Sequence, residues 1–153
     1  MGGFVEAVYV APRGSAPMRR LAEVRAMAGR GLAGDRYCEG NGYWSRFPGG
    51  VCEVTLIEAE ALEEIEREFE ISVMGGEHRR NIVTRGIRLL DLRRRRFRVG
   101  EVLLEYDRTR PPCRHVQELT EPGMTRALRS RGGIGARILE GGVIRQGDVV
   151  IPL

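Results

Sequence analysis

Glycine-rich turns cut this sequence into short segments, and in most of these segments apolar residues alternate with polar ones. The 153 residues include 21 glycines. An alternation with a period of two is typical of half-buried strands, because successive side chains of a strand point to opposite faces of its sheet. The pattern predicts strands over residues 4–11, 18–28, 51–57, 81–84, 97–107, 136–139 and 143–152.

Two other segments have the spacing of helices. Residues 58–69 carry an apolar stripe at helical intervals among glutamates. Residues 122–131 begin with Pro122, can be capped by Thr120 and end at two glycines. The chain is long enough for one domain and too short for two. We therefore predict a single domain over residues 1–153, mostly β with a few helices, in which a mostly antiparallel β-barrel has the helices packed outside it.

The basic residues exclude one large group of enzymes. All of them are arginine, and the sequence contains no lysine. Without lysine this chain cannot hold pyridoxal phosphate as an internal aldimine, so only a partner protein could bring that cofactor. The net charge of +4 is too small to indicate a nucleic-acid partner by itself.

The distribution of apolar residues predicts a cytoplasmic protein without a membrane segment. No apolar stretch approaches the ~18 residues of a membrane-spanning helix, and the first residues lack the charged and apolar parts of a secretory signal. Three cysteines at unrelated spacings fit free thiols better than a disulfide framework. We expect Cys52 in the core, on the apolar face of a strand, and Cys38 partly exposed in a loop.

Cys113 is the candidate reactive thiol. It follows two prolines, lies between a predicted strand and a predicted helix, and has Arg110, Arg114 and His115 as close neighbours. Positive charge favours the thiolate, which is the nucleophilic and metal-binding form of cysteine. The alternative is that Cys113 is a buried structural cysteine.

A second candidate site lies at the mouth of a predicted strand. Its members are Arg79, Arg80, Asn81 and Thr84. These side chains supply fork-like and neutral hydrogen-bond donors that can bind an oxyanion. The alternative is a solvated entrance to the strand, and composition leaves the two interpretations about even. The arginine run at residues 93–96 has no interleaved aromatics and is expected to be a solvent-facing turn.

The common motifs of metal and nucleotide chemistry are missing from the sequence. There is no Cys-x-x-Cys pair and no His-x-x-x-His, so a structural zinc site is not expected. P-loop, dinucleotide and Gly-x-Ser-x-Gly motifs are absent, as are flavin, haem and iron–sulfur motifs. The thiol and the arginines remain as the groups that carry chemistry.

Six blocks of sequence are jointly distinctive. They are residues 31–37 (Gly-Leu-Ala-Gly-Asp-Arg-Tyr), 54–58 (Val-Thr-Leu-Ile-Glu), 79–86 (Arg-Arg-Asn-Ile-Val-Thr-Arg-Gly), 99–101 (Val-Gly-Glu), 112–113 (Pro-Cys) and 141–148 (Gly-Gly-Val-Ile-Arg-Gln-Gly-Asp). In this order they resemble the MOSC domain family, which includes the C-terminal part of molybdenum-cofactor sulfurases. The resemblance covers nearly the whole chain.

The resemblance implies a MOSC-type β-barrel that moves or holds sulfur bound for molybdenum or another metal centre. In the amidoxime-reducing enzymes of the family, a cysteine at this kind of position ligates molybdenum, and here that residue is Cys113. Some relatives carry a second cysteine three residues earlier, where this chain has Arg110. This difference puts a local two-thiol exchange in doubt.

The resemblance also assigns the polar blocks to the cofactor. Arg79, Arg80 and Asn81 would hold the phosphate of the molybdenum cofactor or shape its cleft. Asp35 and Arg36 would lie near the same cleft. The sulfurases also carry a pyridoxal-phosphate desulfurase domain, which this chain lacks, so its sulfur would come from a cysteine desulfurase or another donor.

From this resemblance we expect the chain to be a sulfur carrier or the cofactor-holding part of a reductase of N-hydroxylated compounds. The reductase would need an electron-donor partner, because the chain has no redox motif of its own. A binding or regulatory domain without turnover would share the same site. The remaining alternative is an arginine-rich nucleic-acid-binding module centred on residues 93–96, although stacking aromatics are missing there.

Overall fold

The computed structural model describes residues 2–39, 52–110, 123 and 131–153. The strands are β1 (Gly3–Val10), β2 (Arg19–Leu21), β3 (Glu23–Met27), β4 (Gly31–Leu32), β5 (Val54–Glu58), β6 (Ile82–Arg85), β7 (Arg96–Val99), β8 (Val102–Thr109), β9 (Ile134–Glu140), β10 (Gly142–Arg145) and β11 (Val149–Pro152). The helices are α1 (Arg36–Glu39), α2 (Ala59–Phe69) and a 3₁₀ helix (Leu89–Leu92). None of the described helices is long and apolar enough to cross a membrane.

Seven of the strands close into a barrel. Hydrogen bonds link them in the order β11, β7, β8, β9, β5, β6 and β1, and β1 pairs again with β11 through Gly3 with Val150 and Phe4 with Val149. β2 pairs with β1, and β10, β3 and β4 form a separate three-stranded sheet. Among the described pairs only β5 with β6 is parallel. The predicted mostly β, mostly antiparallel barrel is therefore confirmed.

The parallel pair requires a crossover connection, and α2 supplies it between β5 and β6. Leu62 and Ile65 of α2 share an apolar cluster with Val83 of β6. The preceding residue of β6, Ile82, belongs to the main core cluster instead. The alternation of side chains along β6 thus directs one residue to the barrel core and the next to the helix.

Three predicted strands are each divided in two. The segment 18–28 divides into β2 and β3, which belong to different sheets. The segment 97–107 is a hairpin of β7 and β8, in which Gly100 has φ +57° and a Cβ in its place would crowd the Asp148 side chain. The segment 143–152 divides into β10 and β11. The predicted helix over residues 122–131 lies almost entirely outside the described residues.

Candidate functional site

A group of buried polar residues surrounds the start of β6. Its members are Asp35, Arg36, His78, Arg79, Arg80 and Asn81. Arg79 is 7% and Arg80 is 3% exposed, so a solvated strand entrance is excluded. Burying charged groups is costly unless they are paired or serve a ligand. The structure thus brings together five of the six polar residues that the sequence singled out.

Asp35 and Arg36 form a buried ion pair that holds the neighbouring backbone. Nη1 of Arg36 lies 3.0 Å from Oδ1 of Asp35. The Asp35 carboxylate also accepts hydrogen bonds from the backbone N–H groups of Ala11 and Tyr37. Nη2 of Arg36 donates to the carbonyl oxygen of Arg79 at 3.2 Å. The pair therefore positions the turn that carries Arg79.

This turn carries two arginines, and the backbone of the first of them is strained. Arg79 has φ +64°, a left-handed backbone that costs a non-glycine residue on the order of 1–3 kcal/mol and that is common at functional sites. Its guanidinium donates to the carbonyl oxygen of Ala16. Nε of Arg80 donates to the carbonyl oxygen of Gly132 at 2.7 Å. The Arg80 guanidinium is thereby fixed at the residues that precede β9, and the Arg79 guanidinium at the connection between β1 and β2.

His78 also belongs to this group, although no sequence motif identified it as a site residue. Its ring packs edge-on against Tyr9, with 5.1 Å between the ring centroids. Nδ1 accepts a hydrogen bond from the backbone N–H of Arg80 at 2.9 Å, whereas the buried Nε2 has no hydrogen-bond partner within the part of the chain that the structure describes. Burial, together with the charges of Arg80 and Arg79, lowers the pKa of His78 to about 3. The imidazole is therefore neutral at physiological pH.

Asn81 and Thr84 make structural contacts. Oδ1 of Asn81 accepts hydrogen bonds from the backbone N–H and the hydroxyl of Thr55, and its Nδ2 donates to the carbonyl oxygen of Tyr9. The Thr84 hydroxyl lies 3.5 Å from the carbonyl oxygen of Ile57. Asn81 thus ties strands together beside the arginines, while Thr84 lies further along β6 and away from them.

Arg110 approaches the same region from the end of β8. Its backbone N–H donates to the carbonyl oxygen of Gly133 at 2.8 Å. Nη1 lies 3.7 Å from Sγ of Cys52, and Nε is buried with no hydrogen-bond partner in the described ranges. The residues that precede and follow the segment with Cys113 are therefore in direct contact. Cys113 itself and its immediate neighbours lie outside the described residues.

The other two cysteines are both buried. Cys52 is 2% exposed, which confirms the prediction that it lies in the core. Cys38 is 9% exposed, with Sγ 3.9 Å from Sδ of Met27, so the prediction of partial exposure was wrong. The reason is that residues 36–39 fold into α1 and pack against Gly31 of β4. Burial raises the pKa of both thiols.

A cleft of about 1220 Å³ opens between α2, the 3₁₀ helix and the start of β9. Its charged lining residues include Glu58, Glu60, Glu64, Arg88, Arg93, Arg110 and Arg131. Gly132 and Gly133 line it as well, and their carbonyl oxygens accept the hydrogen bonds from Arg80 and Arg110. Within the described residues, no three His, Cys, Asp or Glu side chains form a group that could hold a metal ion.

Solved structures share this fold at low sequence identity. YuaD from Bacillus subtilis has a TM-score of 0.82 and 17% identity, over 98% of this chain and 94% of that chain. YiiM from Geobacillus stearothermophilus has a TM-score of 0.73 and 17% identity, over 99% and 75% of the two chains. YiiM from Escherichia coli has a TM-score of 0.72 and 17% identity, over 100% and 70%. No curated protein sequence matches this chain.

The family follows from the sequence rather than from these structures, because 17% identity shows the fold alone. The sequence profile of the MOSC domain matches residues 46–151, which is more than half of the chain. The matched region contains the arginine turn, the start of β6 and Cys113. The chain belongs to the MOSC domain family, as its six sequence blocks predicted.

Proposed function

We propose that this MOSC domain holds a molybdenum cofactor, or sulfur bound for a metal centre, with Cys113 as the sulfur ligand. Arg79 and Arg80 would bind the anionic part of the ligand. The observation that carries the proposal is the strained turn with two buried guanidinium groups, in a chain whose family is associated with the molybdenum cofactor. A thiolate is a soft donor that suits molybdenum and can also carry a persulfide.

The chemistry of the described residues fits an anionic, acceptor-rich group. Among the described residues, the buried side-chain atoms without a hydrogen-bond partner are nitrogens. They are Nε of Arg110 and Nε2 of His78. Guanidinium groups bind phosphate with planar, fork-like geometry. Cys113 follows Arg110 by three residues in the sequence, and three residues of chain span at most ~11 Å. When bound, a molybdenum cofactor would supply two-electron chemistry at the metal.

The contacts divide the predicted site residues into two roles. Asp35 and Arg36 bind each other and the Arg79 carbonyl group, so we assign them to positioning the turn. Asn81 uses its amide to join strands, and Thr84 lies away from the turn. The direct binding role therefore falls to Arg79, Arg80, Arg110 and the thiol.

Metal and pterin analysis after expression in a cofactor-competent host tests the proposal. We expect molybdenum and pterin to copurify with the native chain and with Cys38→Ser, which removes a buried thiol outside the site. Cys113→Ser should lose the metal. Full metal stoichiometry in Cys113→Ser would exclude this cysteine as the ligand, and absence of both metal and pterin from the native chain would exclude the cofactor-binding function.

The mass of the intact protein separates a sulfur carrier from a reductase component. A carrier loaded by a cysteine desulfurase or another donor should gain the mass of one sulfur atom, which thiol reductant removes. A reductase component should instead reduce an N-hydroxylated compound when it is supplied with electrons, consuming two electrons and two protons and releasing water. That activity requires an electron-donor partner. If neither the added sulfur nor the reduction is observed while the cofactor is still bound, the protein is a binding domain without turnover.

A further inference from the structure

The imidazole of His78 has a fixed orientation that leaves one donor without an acceptor. Nδ1 accepts from the Arg80 backbone N–H at 2.9 Å, and turning the ring over would replace this nitrogen with carbon and lose the bond. An acceptor Nδ1 in a neutral ring requires the proton on Nε2. Nε2 is buried and has no hydrogen-bond partner among the described residues. The ring therefore points an N–H donor at a position where this part of the chain supplies no acceptor.

A buried donor without an acceptor is destabilising, so folded proteins contain few of them. A phenylalanine or leucine would pack against Tyr9 without this cost. Donors of this kind are expected where a ligand supplies the acceptor that the chain lacks. The burial of His78, with 0% of its surface exposed, excludes bulk solvent as that acceptor.

The charges around His78 define the kind of acceptor. Arg79 and Arg80 follow it in sequence, both are buried, and the Arg80 guanidinium donates to the His78 carbonyl oxygen at 3.2 Å. Their positive potential favours an anion beside the ring. The neutral imidazole adds a directional donor and no further charge, which suits one oxygen of an anion whose charge the arginines already balance.

We propose that the Nε2–H group of His78 donates a hydrogen bond to an oxygen of a phosphate-class oxyanion bound beside Arg79 and Arg80. This inference rests on the proposed function, in which the same turn binds the anionic part of the ligand. It adds His78, which lies outside the six sequence blocks, to the ligand-binding residues. Its Nε2–H group gives the site a hydrogen-bond donor of fixed direction.

Two substitutions separate the two nitrogens of the ring. His78→Asn places an acceptor oxygen two bonds from Cβ, as Nδ1 is, and keeps the bond to Arg80 while removing the Nε2 donor. His78→Gln places an amide nitrogen three bonds from Cβ, as Nε2 is, and keeps the donor. A purely structural histidine would be replaced better by Asn, and a ligand-binding histidine better by Gln.

Calorimetric titration of the full chain with inorganic phosphate provides the measurement. We expect His78→Asn to weaken phosphate binding about ten- to hundredfold, the range for a hydrogen bond to a charged group, and His78→Gln to stay within about threefold of the native value. Equal binding by the native chain and His78→Asn, or no phosphate binding by the native chain, would overturn the inference.

A second measurement does not depend on the His78 variants folding. In the native chain with ¹⁵N-labelled histidine, phosphate should shift the Nε2–H resonance of His78, identified with His115→Gln as the assignment control. An unchanged resonance at saturating phosphate would refute the contact. The proposed function is judged separately by metal and pterin content: a chain without molybdenum that still binds phosphate through His78 would retain this inference and lose the cofactor assignment.

Discussion

At the scale of single residues, burial decides which protonation state the site groups adopt. The pKa of His78 falls to about 3 because the ring is buried and lies beside two positive charges, those of Arg80 and Arg79. Tyr9 is the other titratable group packed against the ring, and burial raises its pKa. The histidine therefore acts as a neutral donor over the whole physiological range and not as a cation.

This shift predicts a pH-dependent stability. Between about pH 6.5 and pH 3 the unfolded chain binds a proton at His78 and the folded chain does not, so stability is lost as the pH falls through this window. The free energy of unfolding should fall by about 1.4 kcal/mol per pH unit from this group. Urea denaturation of the native chain and His78→Asn at pH 7, 6, 5 and 4 measures it.

The comparison of the two chains isolates the histidine from the carboxylates, which titrate in both. The difference in unfolding free energy between His78→Asn and the native chain should grow as the pH falls from 6 to 4. A difference that stays constant over this range would mean that His78 is protonated or solvated in the folded state.

The cysteines should react in an order set by burial and charge. Cys38 and Cys52 are buried, and burial raises the pKa of each thiol, which lowers the thiolate fraction near neutral pH. Cys113 follows two prolines and has arginine neighbours in sequence, so we expect it to be alkylated first. Brief iodoacetamide treatment with peptide mapping tests this order. First labelling of Cys52, or equal labelling of all three, would contradict it.

At the scale of elements, one amide holds three strands in register at the site. Asn81 precedes β6, bonds to Thr55 of β5 through Oδ1 and bonds to Tyr9 of β1 through Nδ2. The backbone of Asn81 adds bonds to the same two residues. The arginine turn is thereby attached to the barrel, because Arg80 and Asn81 are adjacent.

Removal of this amide should destabilise the protein strongly. Asn81→Ala loses three buried side-chain hydrogen bonds at about 1 kcal/mol each and leaves their partners unpaired, so we expect a loss of about 3–5 kcal/mol. Thr55→Val keeps the shape of its side chain and the backbone N–H bond to Asn81, and it should cost about 1–2 kcal/mol. Equilibrium urea unfolding measures both. Equal losses would mean that the bonds of the Asn81 amide to Tyr9 and to the backbone N–H of Thr55 add nothing to stability.

At the scale of the whole molecule, the barrel depends on a contact between the two ends of the described chain. β1 pairs with β11 through Gly3 with Val150 and Phe4 with Val149. Val150 is 0% exposed and belongs to the main core cluster, whereas the next residue, Ile151, is 48% exposed. The closing strand therefore has one buried face and one solvated face.

A pair of substitutions on β11 tests this closure. Val150→Asp buries a carboxylate in the apolar interior. It should lower the free energy of unfolding by at least about 3 kcal/mol, the upper end of what one substitution usually costs. Ile151→Asp introduces the same side chain on the exposed face and should cost under about 1 kcal/mol. Thermal and urea denaturation measure both. Similar losses from the two variants would mean that β11 does not close the barrel in the observed register.

The sequence by itself determined the strand content, the family and the polar residues of the arginine turn. Period-two alternation and glycine turns are local signals, so they located strands such as β1 and β5 correctly and placed Cys52 in the core. The six blocks together predicted the MOSC family, which the family profile confirms, because the residues of each block are adjacent in the chain.

Only the tertiary structure decided which side chains are buried together, because such contacts join residues far apart in sequence. Asn81 is 72 residues from Tyr9, so its linking role has no local signature. His78 was missed because only the packing of Tyr9 and the two arginines buries its ring and leaves Nε2 without an acceptor. Cys38 was misplaced for the same reason, since it is the fold of α1 against β4 that buries it.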